Sequence, residues 1–332
     1  MNVVRPFVVI LLLVSTGVVA ASDETDTSDS ARQWLDRMSH AIKTLNYEGT
    51  FVYIHDNQLE AMHIIHSHNE HGEQERLLSL AGSPREIIRD NDLLTCILPD
   101  ASAVVVEKSR PKEYLPTGLH KITQSLKQYY RFSVIGDDRM AGRDAKIIQV
   151  QPRDPYRYGY GLWIDRQTDM LLKSDLLDEA GDAVEQVMFT NISIGEDIDS
   201  SQLKPTIDAN GFKWFREDKT NDRAKESKSG WYVDKLPDGF KMGMKKKHAM
   251  PMDEMPLEHL MYTDGLSSVS VFIEKIEKGK PMLEGLSNMG AVNAYGTEVD
   301  GHHVTVVGEV PKSAVKMIGD HVRYKPQTQT RP

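Results

Sequence analysis

Tyr47-Glu48-Gly49-Thr50-Phe51-Val52-Tyr53-Ile54 is the point at which this chain changes its period. Upstream, Trp34, Leu35, Met38, Ala41, Ile42 and Leu45 recur at helical spacing, so one apolar stripe faces a core. The cap of that helix is expected at Ser28 or Ser30, with the polar, acidic stretch 22–30 as a loose arm. From Tyr47 onward the repeat is two residues. Phe51 and Tyr53 point one way along the strand, Val52 and Ile54 the other. A sheet that is apolar on both faces is curled over something: a helix, a second sheet or a ligand. Helix packing is the plainest of these, and periodicity alone does not choose.

Outward from this strand, others are expected near 59–67, 73–80, 85–90, 93–98 and 103–107, then near 131–135, 144–151, 158–165, 170–178 and 183–194. A helix over 119–128 interrupts them, with Leu119, Ile122 and Leu126 on one face. Turns are marked by Asp137-Asp138, Ala141-Gly142 and Ala180-Gly181-Asp182. The pattern is that of one long antiparallel meander. After Lys204 the chain turns polar. The stretch 206–230 reads as a solvated linker, although Phe212, Trp214 and Phe215 suggest that it docks on a domain. A second block, 231–325, opens with the turn Leu236-Pro237-Asp238-Gly239-Phe240. Asp264-Gly265 and Asp300-Gly301 mark two hairpins and suit the positive φ of primed turns. Pro311 begins a helix with Ala314, Val315, Ile318 and Val322 on one side, and 326–332 is a polar tail. The expected fold class is α+β and β-rich, with a first domain over 22–205 and a smaller antiparallel β domain with a helix over 231–325.

The start of the chain places it. Residues 1–21 read as a secretory signal peptide, with Arg5 as the positive n-region and a continuous apolar run before small residues. The run is short for a spanning helix, and acidic Asp23-Glu24 follows it. The expectation is a soluble, exported protein. With 332 residues, 39% hydrophobic content and one cysteine, it stands on its cores and not on disulfides. Cys96 lies in an apolar run and reads as a buried small hydrophobe. A net charge of −9 argues against nucleic acid as the main partner.

Four constellations invite chemistry. His55, His63, His66, His68 and His71 crowd one segment, yet no H-E-x-x-H spacing occurs. On a strand His66 and His68 share a face while His63 points away. They read as exposed hairpin residues, with weak metal binding or pH sensing as the alternative, and no metal ligand or cofactor is assigned. Met242, Met244, Met250, Met252 and Met255 lie near His248. Such thioethers suit Cu(I) or, more simply, gap-filling, and Lys245-Lys246-Lys247 among them repels a cation. That lysine run reads either as a solvated face or as a docking site for an acidic peptide. Ser201-Gln202-Leu203-Lys204 and Ser313-Ala314-Val315-Lys316 match S-x-x-K without its companion motifs. No catalytic residue is assigned. The residues describe an exported, two-domain, β-rich binding protein.

Longer stretches add a resemblance. The helix over 34–45 running into Tyr47-Glu48-Gly49-Thr50-Phe51-Val52-Tyr53 resembles the RseB/MucB family. So do His259-Leu260-Met261-Tyr262-Thr263-Asp264-Gly265-Leu266-Ser267-Ser268-Val269-Ser270-Val271-Phe272, Gly290-Ala291-Val292-Asn293-Ala294-Tyr295, and His303-Val304-Thr305-Val306-Val307-Gly308-Glu309-Val310-Pro311. The resemblance covers nearly all of the chain after 21. It implies a periplasmic negative regulator of a sigma-E-type envelope stress response. Such a regulator binds the periplasmic part of an RseA- or MucA-type anti-sigma factor and shields it from the first regulatory protease. The first domain would then resemble the lipoprotein carrier LolA, a half-open β-barrel that takes acyl chains. Lipopolysaccharide or lipoprotein would be the displacing signal. For such a cavity the candidates are Phe51, Tyr53, Met62, Ile64, Leu77, Trp163 and Met188. For the partner surface they are Lys245, Lys246, Lys247 and His248. A LolA-type lipid carrier and a copper-handling protein are the competing readings, and a homo-oligomer is left open.

Overall fold

The structure, a computed structural model, describes residues 23–108, 124–216, 229–250, 253–277, 279 and 281–326. The expected signal peptide and most of the polar tail lie outside the described residues. Helix α1 (Asp23–Thr44) precedes a twelve-stranded sheet. Its strands are β1 (Tyr47–His55), β2 (Gln58–Asn69), β3 (Gly72–Ser79), β4 (Glu86–Asp90), β5 (Leu93–Leu98), β6 (Ala103–Lys108), β7 (Tyr130–Met140), β8 (Arg143–Pro152), β9 (Gly159–Asp165), β10 (Leu171–Leu177), β11 (Ala183–Ile194) and β12 (Lys213–Arg216). The spatial order is β12-β6-β5-β4-β3-β2-β1-β11-β10-β9-β8-β7. β1 and β11 close the two runs of hairpins onto each other, Tyr47 facing Ile194. β7 and β12 stay as free edges, so the sheet is half-open.

Alternation along β1 explains what the sheet curls over. Tyr47 and Phe51 face inward and are buried with Met62, Ile64 and Leu77 of β2 and β3. Leu35, Met38 and Ile42 of α1 fill the concave side. Each such burial is worth about 1.5–3 kcal/mol relative to exposure. Arg37 ties the helix to the β9–β10 turn through Asp169 at 3.1 Å. Cys96 packs at the margin of this core.

Several expectations need correction. Helix α1 is described over Asp23–Thr44, so Ser28 and Ser30 stand inside it and 23–30 is not a loose arm. Asp137 and Asp138 lie within β7, because a register shift between Val134 and Gly136 carries the strand past them. Their carboxylates meet Lys146 at 2.5 Å and the Trp163 indole N–H at 2.8 Å. The reversal comes at Ala141 and Gly142, with φ of 49° and 77°. Of the helix expected over 119–128, the described part, Gln124–Gln128, is a 3-10 turn that buries Leu126. The stretch 206–216 is not free linker. β12 adds to β6 in parallel, Lys213 facing Ala103. It docks by its backbone, while Trp214 and Phe215 remain more than half exposed.

The second block builds a six-stranded sheet in the order β14-β15-β16-β19-β18-β17. Its strands are β14 (Lys241–Met250), β15 (Asp253–Thr263), β16 (Ser268–Lys275), β17 (Gly285–Met289), β18 (Val292–Val299) and β19 (His302–Glu309). β13 (Trp231–Val233) and β20 (Val322–Tyr324) form a small antiparallel ribbon beside it. Helix α2 (Lys312–Asp320) follows Pro311 and buries Ala314, Val315 and Ile318 against Val304 and Val306. Asp300 and Gly301 have φ of 48° and 69°, as a two-residue primed turn requires. The other hairpin differs. At Asp264-Gly265 only the glycine has positive φ, and pairing resumes at Thr263–Ser268. The longer loop is held by Asp264 itself, whose Oδ1 accepts from Leu266 N and Ser267 N.

Candidate binding site

The seven cavity candidates separate by strand alternation. Phe51, Met62, Ile64 and Leu77 are on the concave face, each at most 3% exposed and packed under α1. Phe51 meets Phe189 edge-on at 5.6 Å. Tyr53 is further along the same face and half-buried. Burial and then its contact with Glu185 hold its hydroxyl well above the usual pKa. Trp163 and Met188 belong to the other face. Both are cross-strand partners of Lys173, whose ammonium is 4.0 Å from the Trp163 ring. Their inward neighbours are Leu162, Ile164 and Phe189. Trp163 and Met188 therefore leave the cavity set.

The basic run is split in the same way. β14 is an edge strand, so 245, 246 and 247 alternate between faces. The Lys245 ammonium donates to Ser229 O at 2.7 Å and Trp231 O at 2.8 Å, and burial lowers its pKa. It anchors the entry to the second sheet. Lys247 shares that face, 3.8 Å from Glu258, and is half exposed. Lys246 faces the opposite side, across from His259. His248 pairs through its backbone with Leu257, and its side chain lies outside the described residues, as do those of Met250, Met252 and Met255. The expectation of exposed histidines holds for His68 and His71. It fails for His66, which has no exposure, and for His63, which is part-buried between Glu48 and Thr50.

No motif pointed to the junction between the two sheets, yet it has the most organised chemistry. The side chains of Arg157 and Asp264 are both fully buried and meet at 2.6 Å. Arg157 also bonds Asp154 and the Asp238 carbonyl, and lies over the rings of Tyr129 and Phe240, each 4.9 Å away. Tyr130 donates its hydroxyl to Asp264 at 3.1 Å. The turn 236–240 thus closes onto the first sheet. A Cβ on Gly239 would lie 2.4 Å from the Tyr129 ring, at φ of +88°. Gly239→Ala is expected to destabilise the protein by about 1–3 kcal/mol, from positive-φ strain and overpacking. A lowered midpoint in urea unfolding, with unchanged m, checks this.

A second tether lies on the far side of the junction. Asp56 accepts from Gly290 N at 2.6 Å and Glu185 from Ala291 N at 3.1 Å. Asn293 donates to the Tyr158 hydroxyl at 2.9 Å and to Val310 O. Between these contacts opens a cleft of about 630 Å³ with Asp56, Asp178, Glu179 and Glu185 on one wall and Lys312 on the other. Its acid-rich lining suits a polar, basic segment. Ser313, of the S-x-x-K match, simply donates to Pro155 O at 2.5 Å. The only sequence cue to the junction was the strong turn at 236–240.

Comparisons with known proteins follow the same two-part plan. The family models for the MucB/RseB N-terminal domain and the MucB/RseB C-terminal domain match residues 30–207 and 225–323. Sigma factor AlgU regulatory protein MucB of Pseudomonas aeruginosa is 31% identical over 332 residues, spanning 96% of this chain and 98% of its own. Sigma-E factor regulatory protein RseB of Escherichia coli K12 is 26% identical over 310 residues, spanning 93% and 95%. A crystal structure of MucB in complex with MucA(peri) is similar at a TM-score of 0.70 and 28% identity, over 90% of this chain and all of that one. A crystal structure of MucB alone gives a TM-score of 0.61 at 28% identity, over 90% of this chain and 99% of that one.

Proposed function

The chain belongs to the MucB/RseB family, and from that premise we propose that it binds the periplasmic region of an RseA/MucA-type anti-sigma factor. By occupying that segment it shields it from the first regulatory protease. It works in the periplasm, as a signal peptide over 1–21 would require, and transforms nothing chemically. The observation that carries this reading is the similarity of the whole two-sheet unit, at a TM-score of 0.70, to MucB seen with MucA(peri). The acid-lined cleft and the exposed edge of β14 are surfaces a polar peptide can use.

Lipid sensing belongs to the same proposal. Lipopolysaccharide or lipoprotein acyl chains enter the concave face of the first sheet. There they meet Phe51, Met62, Ile64 and Leu77, with Tyr53 at the rim. Because Leu35, Met38 and Ile42 already fill that face, a chain lodges only by moving α1. A lipid releases the partner only if it prefers an arrangement of the two sheets that the partner does not. A tenfold shift in occupancy needs a preference of about 1.4 kcal/mol.

The direct test is protease protection of the anti-sigma periplasmic segment. Protection by stoichiometric protein, reversed by added lipid, is the expected result. Lipid binding without any protection would favour a LolA-type carrier instead. The split of the lysine run sharpens a second test. Lys246→Glu with Lys247→Glu is expected to weaken partner binding about tenfold at low salt and less at high salt. Equal affinity at both ionic strengths would remove β14 from the partner surface.

A further inference from the structure

We propose that His66, Glu73 and Glu75 form a binding site for a divalent transition-metal cation of the Zn²⁺ class, at the end of the concave face beneath the C-terminus of α1. The three donor atoms lie within 4.8 Å of one another. The register explains how they meet. On β2 and β3, His66 is paired with Glu75, and His68 with Glu73, so all four side chains start from the same face. On β1 Tyr47 is paired with His66, and its ring stacks on the imidazole at 4.6 Å and 11°. The imidazole is therefore locked in place on a rigid sheet, as a ligand needs to be.

The tautomer is decided by chemistry. His66 Nδ1 is 2.8 Å from Leu45 O. A carbonyl oxygen only accepts, so Nδ1 carries the hydrogen. In the neutral ring the lone pair is then on Nε2. That nitrogen is fully buried and points at Glu73, 3.4 Å from Oε1, an ion-pair distance too long for a good hydrogen bond. An acceptor facing two carboxylates is repulsive unless a cation stands between them. A proton on Nε2 would satisfy one pair, His66 with Glu73. It leaves Glu75 to Arg89 at 3.9 Å and the buried Tyr47 hydroxyl without a partner. A divalent ion serves all three converging donors. A backbone carbonyl holding the far side of a histidine is also the usual outer-shell support of a metal ligand.

The nearby charges allow such a cation. Glu73 and Glu75 supply two negative groups. Arg89 of β4 approaches Glu75 only to 3.9 Å, and Lys43 acts on Glu73 from α1. Burial raises the Glu75 pKa, a cost that a bound ion offsets. Glu73 is about one-third exposed and leaves a way in from solvent, with exposed His68 beside it. Nitrogen-with-carboxylate donors at this number suit Zn²⁺ with water completing the shell, and do not suit Cu(I). The signal in the sequence was the alternation of His66 and His68. Only the burial of His66 turned it into a site.

Isothermal titration of the purified protein with Zn²⁺ tests the proposal. One ion per chain is expected, with affinity reduced at least tenfold in Glu73→Gln and unchanged in His71→Ala. Glu73 is partly exposed, so its variant should keep the wild-type far-UV circular dichroism even if a His66 variant does not fold. Co²⁺ loading should give tetrahedral d–d bands that change in Glu75→Gln. Absence of stoichiometric Zn²⁺ binding would overturn the site. So would equal affinity in Glu73→Gln, which would place the ion on other histidines.

Discussion

Asp264→Asn is expected to cost about 3–5 kcal/mol of stability, although it changes a single atom on a loop between two strands. The carboxylate is fully buried, and its Oδ2 holds both the Arg157 guanidinium and the Tyr130 hydroxyl. Breaking a buried pair from one side leaves the Arg157 charge out of water with only the partly exposed Asp154 carboxylate to meet it, which is far costlier than losing a surface pair. Asparagine keeps the Oδ1 contacts that shape the loop, so the loss reports the junction and not the turn. Arg157→Met should also destabilise, and the double variant should lose less than the sum of the two. A coupling energy of about 0.5–3 kcal/mol from urea unfolding would establish the pair as one unit. The functional consequence is a looser angle between the sheets, visible as a larger radius of gyration in solution scattering. If Asp264→Asn stays within about 0.5 kcal/mol of the wild type, the junction is held by other contacts.

Glu86→Ala is the second large effect, and it should release a segment more than it unfolds a domain. Glu86 has no exposure, yet it accepts from Arg76 Nε at 2.5 Å, from Ile207 N at 2.9 Å and, through both oxygens, from Thr206 N. Arg76 in turn reaches Gln202 O and the Thr206 hydroxyl. One buried carboxylate thus fastens the chain as it leaves the first sheet. Its removal leaves a buried guanidinium without its counter-charge and two backbone donors unmet, again about 3–5 kcal/mol. Hydrogen exchange should accelerate in 200–216, including β12, while β1 and β2 keep their protection. Uniform acceleration across the first sheet would instead make Glu86 a general core group.

Much of the fold was legible because period-two patterning is a local property. Once Phe51 and Tyr53 are assigned to one face, hairpin connectivity orders the meander from β1 to β11 with few alternatives. The Asp300-Gly301 turn and the Pro311 helix start were readable for the same reason, since φ preferences act within two residues. Two of the misreadings share one cause. The lysine run looked like a patch because neighbours in sequence were counted as neighbours in space, whereas an edge strand sends them to opposite sides. Trp163 and Met188 were assigned to the cavity by apolarity, without a register to say which face they occupied.

The sequence by itself determined most strands of the first sheet, two hairpins of the second, the apolar stripe of α1 and the resemblance to a family, because these depend on spacing and on long local motifs. Only the tertiary structure decided that β12 runs parallel along β6, that His66 is buried against two carboxylates, and that the side chains of Arg157 and Asp264, 107 residues apart, meet out of reach of solvent. A buried charge is unfavourable until its partner arrives, so neither residue has any local pattern to announce it.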